Sequence, residues 1–178
     1  MSESLYFIAI VPPQKIQDQI TDYKKEVAEK FGSKHALNAP PHITLHMPFK
    51  WKDKKLGKLE SVMNEINAAI TPFSIDLKDF DFFEPRVVFV DVLENKPLVS
   101  LQKKVVSSCR RGLNLDNGNY KDRPFHPHMT IAFRDLKKPK FYDAKRYFEE
   151  LTFSEQFLLE EVSLLTHDGV KWNVMEFS

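Results

Sequence analysis

The sequence predicts a single α+β domain built from two similar lobes, and three observations lead to that prediction. Along its 178 residues, short apolar runs typical of strands alternate with the spacing typical of amphipathic helices. The pattern Pro-His-aliphatic-Thr-aliphatic occurs twice, at 41–45 and 127–131. No Gly/Ser-rich linker or low-complexity tract separates the two copies. We therefore expect one domain over residues 1–178, with one copy on a strand of each lobe.

Hydrophobic spacing defines the elements of the first half. The apolar run 5–11 ends at two prolines, which is typical of a strand buried on both faces. One helix face follows, formed by Ile16, Ile20, Tyr23 and Val27. The next predicted elements are a strand at 42–49, a helix at 56–70 and an alternating strand at 73–78.

The second half continues the same alternation. A β-branched strand is predicted at 87–92, after a turn at Glu84-Pro85, and the residues 98–109 have helical spacing. The polar stretch 113–125 predicts a long loop. The remaining predicted elements are a strand at 126–133, a helix at 141–151 and a hairpin of 162–167 and 171–177 that turns at Asp168-Gly169.

Composition excludes several classes of function. The net charge of +1 provides no overall field for nucleic acid, so an anionic ligand would need a local site. Cys109 is the single cysteine, which excludes an internal disulfide and a thiolate metal cluster and suits a reducing cytosol. The apolar run 5–13 is too short to span a membrane and lacks a basic leader region. We expect a cytoplasmic monomer without a membrane partner.

The repeated pattern suits proton transfer at a phosphorus atom. Residues two apart on a strand share a face, so His42 lies beside Thr44 and His128 beside Thr130. One neutral imidazole can accept a proton while a protonated one donates. The hydroxyls can donate to phosphoryl oxygens as negative charge develops. This chemistry requires no metal, and we predict none.

Chance is a poor explanation for the pair of motifs. With six His and six Thr in the chain, about 0.2 His-x-Thr triplets are expected at random. Two occur, and they share the preceding Pro and both aliphatic positions. A single copy would more often be structural, whereas the pair indicates a functional site.

These motifs resemble those of the 2H phosphoesterase superfamily, which includes 2'-5' RNA ligases and cyclic phosphodiesterases. The resemblance covers nearly the whole chain, through PPHITL, FEPRVVFVDV, FHPHMTIAF and KWNVMEF, and the first and last segments are similar to a small bacterial branch of phosphoesterases. It implies two pseudo-symmetric lobes with antiparallel-rich sheets, flanked by helices, around a central cleft. It also implies His42 as proton donor and His128 as proton acceptor, with Thr44 and Thr130 beside them and no cofactor.

Two departures from the family pattern leave the substrate open. His46-Met47-Pro48-Phe49 follows the first motif, where many relatives have small aliphatic residues and Gly, and Arg134 comes one position later than in some members. Strand parity places His46 on the face of His42 and Thr44, so it is predicted either to reach the mouth of the cleft as a phosphate contact or to lie partly exposed at the end of the strand. Arg134, together with Phe7 and Phe125 as stacking surfaces, completes the predicted substrate-binding set.

The remaining histidines are interpreted as surface residues. His35 and His167 fall in a connection and beside a turn, and Pro127 separates His126 from the strand, so His126 is interpreted as a loop residue. No H-E-x-x-H motif or helical pair of histidines occurs, so we predict no zinc site.

The first functional hypothesis is a metal-independent phosphoesterase. Its substrate would be a 2',3'-cyclic phosphate or a 2'-5' phosphodiester in a nucleotide or RNA end. The same steps in reverse give 2'-5' RNA ligation, and the motif pair alone does not choose between the directions. The alternatives are a non-catalytic nucleotide- or RNA-end-binding module, which would bind without turnover, and a protein-interaction domain, which would expose an apolar patch. Two intact imidazoles favour the enzyme.

Overall fold

The computed structural model describes residues 2–118 and 123–176, and within them it contains eight strands and four α-helices. The strands are β1 (Glu3–Ile10), β2 (Ile43–Lys52), β3 (Phe73–Phe83), β4 (Val87–Val92), β5 (His128–Ala132), β6 (Ser154–Leu159), β7 (Ser163–His167) and β8 (Trp172–Val174). The helices are α1 (Gln14–Phe31), α2 (Leu56–Ala68), α3 (Lys96–Leu113) and α4 (Lys138–Glu149). Short 3-10 helices occupy His35–Asn38 and Asp53–Lys55.

All eight strands form one antiparallel sheet in the order β6-β3-β4-β5-β2-β1-β7-β8. The sheet has two four-stranded halves, and the strands that carry the two motifs, β5 and β2, join them at the centre. The α+β class and the antiparallel sheet with flanking helices are therefore confirmed. This topology places both motifs at the junction of the two halves.

The helices cross between the halves of the sheet. α1 follows β1 in the sequence but packs against β5 and α4, and α4 packs against β3 and β4. α3 follows β4 but packs against β2 and α2. Because each crossing helix starts in one half and covers the other, the two halves bury their apolar faces in one hydrophobic cluster.

The motif strands separate a core face from an open face. The aliphatic residues Ile43, Leu45, Met129 and Ile131 are at most 1% exposed. Since alternate residues of a strand point to opposite faces, this burial directs the histidines and threonines between them away from the core. The apolar alternation of the motifs thus orients their polar side chains.

The structure confirms most predicted elements and corrects two. The predicted hairpin is present as β7 and β8, and α3 begins at Lys96 with the Asn95 side chain accepting from Leu98 N at 3.0 Å. β6 was not predicted, because its first residues are polar and it lies at the edge of the sheet with only Phe157 and Leu159 buried. β3 is longer than predicted.

Two further expectations concern parts of the chain rather than single elements. The predicted loop 113–125 begins after α3, at Asn114, and its residues 119–122 lie outside the described residues. None of the described helices is long and apolar enough to cross a membrane.

Candidate active site

The two motif strands lie side by side at the centre of the sheet. β2 and β5 run antiparallel and pair at Ile43 and Met129. His42 directly precedes β2, and His128 is the first residue of β5. The predicted proximity of the two strands is therefore confirmed.

The register of this pairing places the histidine of each motif opposite the threonine of the other. In an antiparallel pair centred on Ile43 and Met129, His42 falls opposite Thr130 and Thr44 falls opposite His128. Each imidazole is thus next to one hydroxyl along its own strand and another across the junction. The arrangement has approximate two-fold symmetry about the central pair.

The four motif side chains line one cleft. The cleft has a volume of about 860 Å³, and its walls include His42, Thr44, His128 and Thr130. A cavity of this size accommodates a nucleotide-sized ligand. All four side chains are partly buried, so they are held by the protein and still open to a ligand.

Each motif histidine is anchored through its Nδ1 atom to the carbonyl two residues earlier. His42 Nδ1 lies 2.7 Å from Pro40 O, and His128 Nδ1 lies 2.7 Å from His126 O. A carbonyl oxygen only accepts, so Nδ1 carries a hydrogen in both rings. Nε2 is therefore the atom of each ring that can accept or donate a proton in the cleft.

Aromatic rings support both imidazoles. The centroid of Phe7 is 4.8 Å from that of His42, and Trp172 packs edge-on to Phe7 at 4.6 Å. Phe83 and Phe89 each lie 5.1 Å from the ring of His128. These contacts restrict the rotation of each imidazole, which proton transfer at a defined atom requires.

The loop that precedes the first motif is fastened to the end of the second motif strand. The carboxylate of Asp135 accepts hydrogen bonds from Ser33 Oγ at 2.6 Å, from Lys34 N at 2.8 Å and from His35 N at 3.0 Å. Because Asp135 follows β5 closely, this cluster ties the approach to His42 to the strand of His128.

The electrostatic surroundings lower the pKa of both imidazoles. Burial lowers the pKa of His42 to about 4, although the hydrogen bond to Pro40 O acts in the opposite direction and raises it. Burial also lowers the pKa of His128, although the hydrogen bond to the His126 carbonyl and the charge of Asp91 raise it. The lowered pKa values favour the neutral form of both rings in the free protein, whereas a bound anion would favour protonation.

Cations dominate the described walls of the cleft. Lys24, Arg86, Arg123 and Arg134 line it, and Glu84 is the one carboxylate among the described lining residues. A chain with a net charge of only +1 thus concentrates positive charge at this cleft. This distribution suits an anionic ligand.

The structure places two of the four predicted substrate-binding residues in the cleft. Phe7 and Arg134 line it, and Arg134 has a positive φ of 61°. Phe125 does not line the cleft and packs against the hydrophobic core, so that prediction is wrong. Phe125 lies in the segment before β5, where its neighbours Pro124 and His126 line the cleft and its own ring packs inward.

The prediction that His46 reaches the cleft is also wrong. Its side chain is 1% exposed and packs edge-on to Phe49, and its Nε2 atom has no hydrogen-bond partner among the described residues. Thr44 pairs with Ala9 but His46 pairs with Ile8, so β2 contains one extra residue between them. This bulge reverses the parity of the strand, and Met47 lines the cleft instead.

Several residues that line the cleft were not predicted from the sequence to do so. The sequence predicts His35 and His167 as surface residues, but both line the cleft, as does the loop residue His126. Lys24 also lines it and is only 3% exposed. Lys24 lies on the apolar face of α1, four residues after Ile20, and this helical spacing could have indicated that its side chain is buried.

The sequence matches the family model of the 2'-5' RNA ligase superfamily over residues 12–171. A Geobacillus kaustophilus protein that is named as a phosphoesterase is 32% identical over 180 residues, which cover 96% of this chain and 93% of the relative. An RNA 2',3'-cyclic phosphodiesterase of Bacillus subtilis is 30% identical over 132 residues, which cover 71% of this chain and 69% of the relative.

Solved structures show the same fold. The protein TT0787 of Thermus thermophilus superposes with a TM-score of 0.67 at 18% identity, over 97% of this chain and 95% of that chain. E. coli LigT in complex with 3'-AMP superposes with a TM-score of 0.65 at 20% identity, over 98% of this chain and 97% of that chain.

The fold and the family together define an α+β phosphoesterase. The chain belongs to the 2'-5' RNA ligase superfamily, which its match over residues 12–171 shows. The resemblance to the 2H phosphoesterases is therefore confirmed.

Proposed function

We propose that this phosphoesterase opens 2',3'-cyclic phosphates in nucleotides or at RNA ends, by proton transfer between His42 and His128 and without a metal ion. The observation that carries the proposal is the position of both imidazoles in one cleft, each held through Nδ1 so that Nε2 is the reactive atom. Opposite proton transfers on one phosphoryl group require two such atoms.

The mechanism is an in-line displacement at phosphorus. One imidazole takes a proton from the attacking water, and the water oxygen forms a bond to phosphorus. The bond from phosphorus to a ribose oxygen breaks, and the other imidazole gives its proton to that oxygen. Thr44 and Thr130 donate to the non-bridging oxygens, where negative charge increases in the transition state.

The charge of the cleft and the names of relatives support this substrate class. Lys24, Arg86, Arg123 and Arg134 provide the positive charge that a phosphodiester requires. Relatives from Bacillus subtilis and Archaeoglobus fulgidus are named RNA 2',3'-cyclic phosphodiesterases, and LigT, which has the same fold, was crystallised with 3'-AMP. A nucleotide or RNA end is accordingly the ligand we assign to the cleft.

A 2'-5' phosphodiester is the second substrate that the same chemistry accepts. When a 5' hydroxyl of RNA takes the place of water, its attack on the cyclic phosphate forms a 2'-5' bond as the 3' oxygen leaves, and the reverse of this step cleaves a 2'-5' phosphodiester. Hydrolysis and ligation therefore share every residue of the site, and the supply of an RNA hydroxyl decides between them.

The decisive assay uses a panel of substrates with EDTA present. Ribonucleoside 2',3'-cyclic phosphates, 2'-5' dinucleotides and RNA with a 2',3'-cyclic phosphate end are compared for the wild type, His42→Ala and His128→Ala, with thermal melts to verify folding. We expect turnover of a cyclic phosphate in EDTA, and a loss of roughly 10²- to 10⁴-fold in each variant.

Two outcomes would contradict the proposal. Tight binding of the cyclic phosphate without product would indicate a binding module. A complete requirement for a divalent ion would transfer the protein to a metal-dependent mechanism.

A further inference from the structure

A second cavity adjoins the cleft on the side of His42. It has a volume of about 200 Å³ and lies between α1, the segment 37–41 that leads to His42, and the start of β8. We call it the side pocket. It is contiguous with the cleft, because both cavities are lined by Lys24, Asn38, Ala39 and Trp172. Proton transfer between the two motif histidines does not use it.

The described walls of the side pocket carry positive charge without a carboxylate. Lys24 and Lys171 line it, and neither Asp nor Glu is among its described lining residues. Neither ammonium group forms an ion pair within residues 2–118 and 123–176. Walls of this kind favour an anionic ligand.

The burial of Lys24 is an independent indication of a ligand. The residue is 3% exposed, and Nζ donates to one acceptor, Ala39 O, at 2.9 Å. An ammonium group has three hydrogens, so two of them have no acceptor in the part of the chain that the structure describes. Burial of a charge is costly unless a counter-ion and further hydrogen bonds offset it. An anion bound at Lys24 would provide both.

Neutral donors complete the set. The side chains of Thr21 and Asn38 line the side pocket, and neither forms a hydrogen bond with another described residue. Thr21 precedes Lys24 by three residues on α1, so the two side chains lie on the same face of the helix. α1 also has no acidic residue in its first turn and no side-chain N-cap, so the positive end of its dipole remains available to an anion.

Phosphate is the anion that this donor set suits. Lysine, threonine and asparagine side chains are ordinary ligands of phosphate oxygens in nucleic acids. The substrate class of the cleft carries such a group at a suitable place. In an RNA end with a 2',3'-cyclic phosphate, the next phosphate is attached to the 5' oxygen of the same ribose, one sugar away from the reacting phosphorus.

We propose that the side pocket binds the 5' phosphate of the nucleotide whose cyclic phosphate reacts in the cleft, through Lys24, Thr21, Asn38 and Lys171. This inference rests on the proposed function and deepens it, because it makes the RNA end a better substrate than a free nucleoside cyclic phosphate. The 5' phosphate takes no part in bond making. Its binding holds the reacting ring in place between His42 and His128.

Two pairs of compounds that differ only in the 5' phosphate test the proposal. Turnover is compared for adenosine 2',3'-cyclic phosphate with and without a 5' phosphate. Binding is compared by calorimetry for adenosine 2',5'-bisphosphate and adenosine 2'-phosphate. We expect the 5' phosphate to raise kcat/KM and to lower Kd by roughly tenfold or more, since hydrogen bonds between charged groups are among the strong ones.

Variants assign this advantage to the side pocket. Thr21 and Lys171 line the side pocket but not the cleft, so Thr21→Val and Lys171→Gln should each reduce the advantage several-fold, and the double variant should lose most of it. Lys25→Met is the matched control, because Lys25 is an exposed lysine of α1 that lines neither cavity. It should preserve the advantage. Thermal melts verify that each variant folds.

The remaining outcomes contradict one of the two proposals. Equal values with and without the 5' phosphate in the wild type, or an advantage that survives in the double variant, would overturn the assignment of the side pocket. Inorganic phosphate that binds to the complex with adenosine 2',5'-bisphosphate, and does not bind to the double variant, would indicate a site for free phosphate and also overturn it. Absence of turnover for both cyclic phosphates instead refutes the proposed function, while the calorimetric comparison still decides the side pocket, so the two failures are distinguishable.

Discussion

At the residue scale, the proline of each motif contributes to the placement of its histidine. Pro41 and Pro127 each stand between a histidine and the carbonyl that accepts its Nδ1 hydrogen. Proline has a fixed φ near −65°, so it restricts the backbone between that carbonyl and the histidine. The repeated proline thus fixes which nitrogen of His42 and His128 exchanges protons.

The two threonines give the first residue-scale prediction. Thr44→Val and Thr130→Val preserve the shape of the side chain but remove a hydroxyl donor, so kcat should fall by about 10²-fold for each, a loss of roughly 2–4 kcal/mol in transition-state stabilisation. Thr→Ser at either position should retain most of the activity. The measurement is kcat and KM on a cyclic phosphate.

Thr71→Val is the matched control, because Thr71 is exposed and does not line the cleft. It should leave kcat unchanged. A rise in KM alone in the motif variants would contradict the prediction, since it would show that the hydroxyls bind the ground state and the transition state equally.

At the element scale, the contact between α2 and α3 depends on a glycine. A Cβ atom on Gly112 of α3 would lie 2.8 Å from Val62 Cγ2 of α2. Alanine improves helix propensity by up to about 1 kcal/mol, but overpacking costs about 1–3 kcal/mol. We therefore expect Gly112→Ala to lower the free energy of unfolding by roughly 1 kcal/mol, measured from urea midpoints.

Gly57→Ala in α2 is the control for this prediction. A Cβ atom at Gly57 has no neighbour within 4 Å, so the same substitution should raise the stability by a few tenths to about 1 kcal/mol. Equal effects of the two substitutions would show that the helices separate to admit a methyl group without cost.

At the scale of the whole molecule, burial of neutral histidines makes stability depend on pH. Burial lowers the pKa of His35, His42, His46 and His128 below the unfolded value of about 6.5. Between that value and the folded pKa, which is about 4 for His42, the unfolded chain binds more protons. Stability should accordingly be full above about pH 6.5 and decrease as the pH falls toward 4.

His46 allows this pH dependence to be tested away from the cleft. Because its ring is buried and Nε2 lacks a partner among the described residues, His46→Leu should remove one group that acid must protonate. We expect a smaller decrease in the urea midpoint between pH 7 and pH 5 than in the wild type, with activity retained. An unchanged decrease would show that His46 does not contribute to acid sensitivity.

The sequence by itself determined the fold class, the order of most elements and which four motif residues would share one face of the sheet. These properties follow from local spacing, because periods of 2 and 3.6 residues distinguish strands from helices and two copies of one pattern exceed chance. Strand β4 was predicted with the bounds that the structure shows, Val87–Val92. The cleft positions of His42 and His128 likewise follow from strand parity and two similar lobes.

Only the tertiary structure decided the positions that depend on distant residues. The bulge between Thr44 and His46 arises from the pairing of β2 with β1, and it places His46 in the core. β6 forms because β3 pairs with it along its whole length, although its first three residues are polar. Lys24 Nζ donates a hydrogen bond to Ala39 O, and Asp91 pairs with His128 of the neighbouring strand β5. Pairing register, burial and electrostatic surroundings are set by residues far apart in the sequence, so local spacing could not determine them.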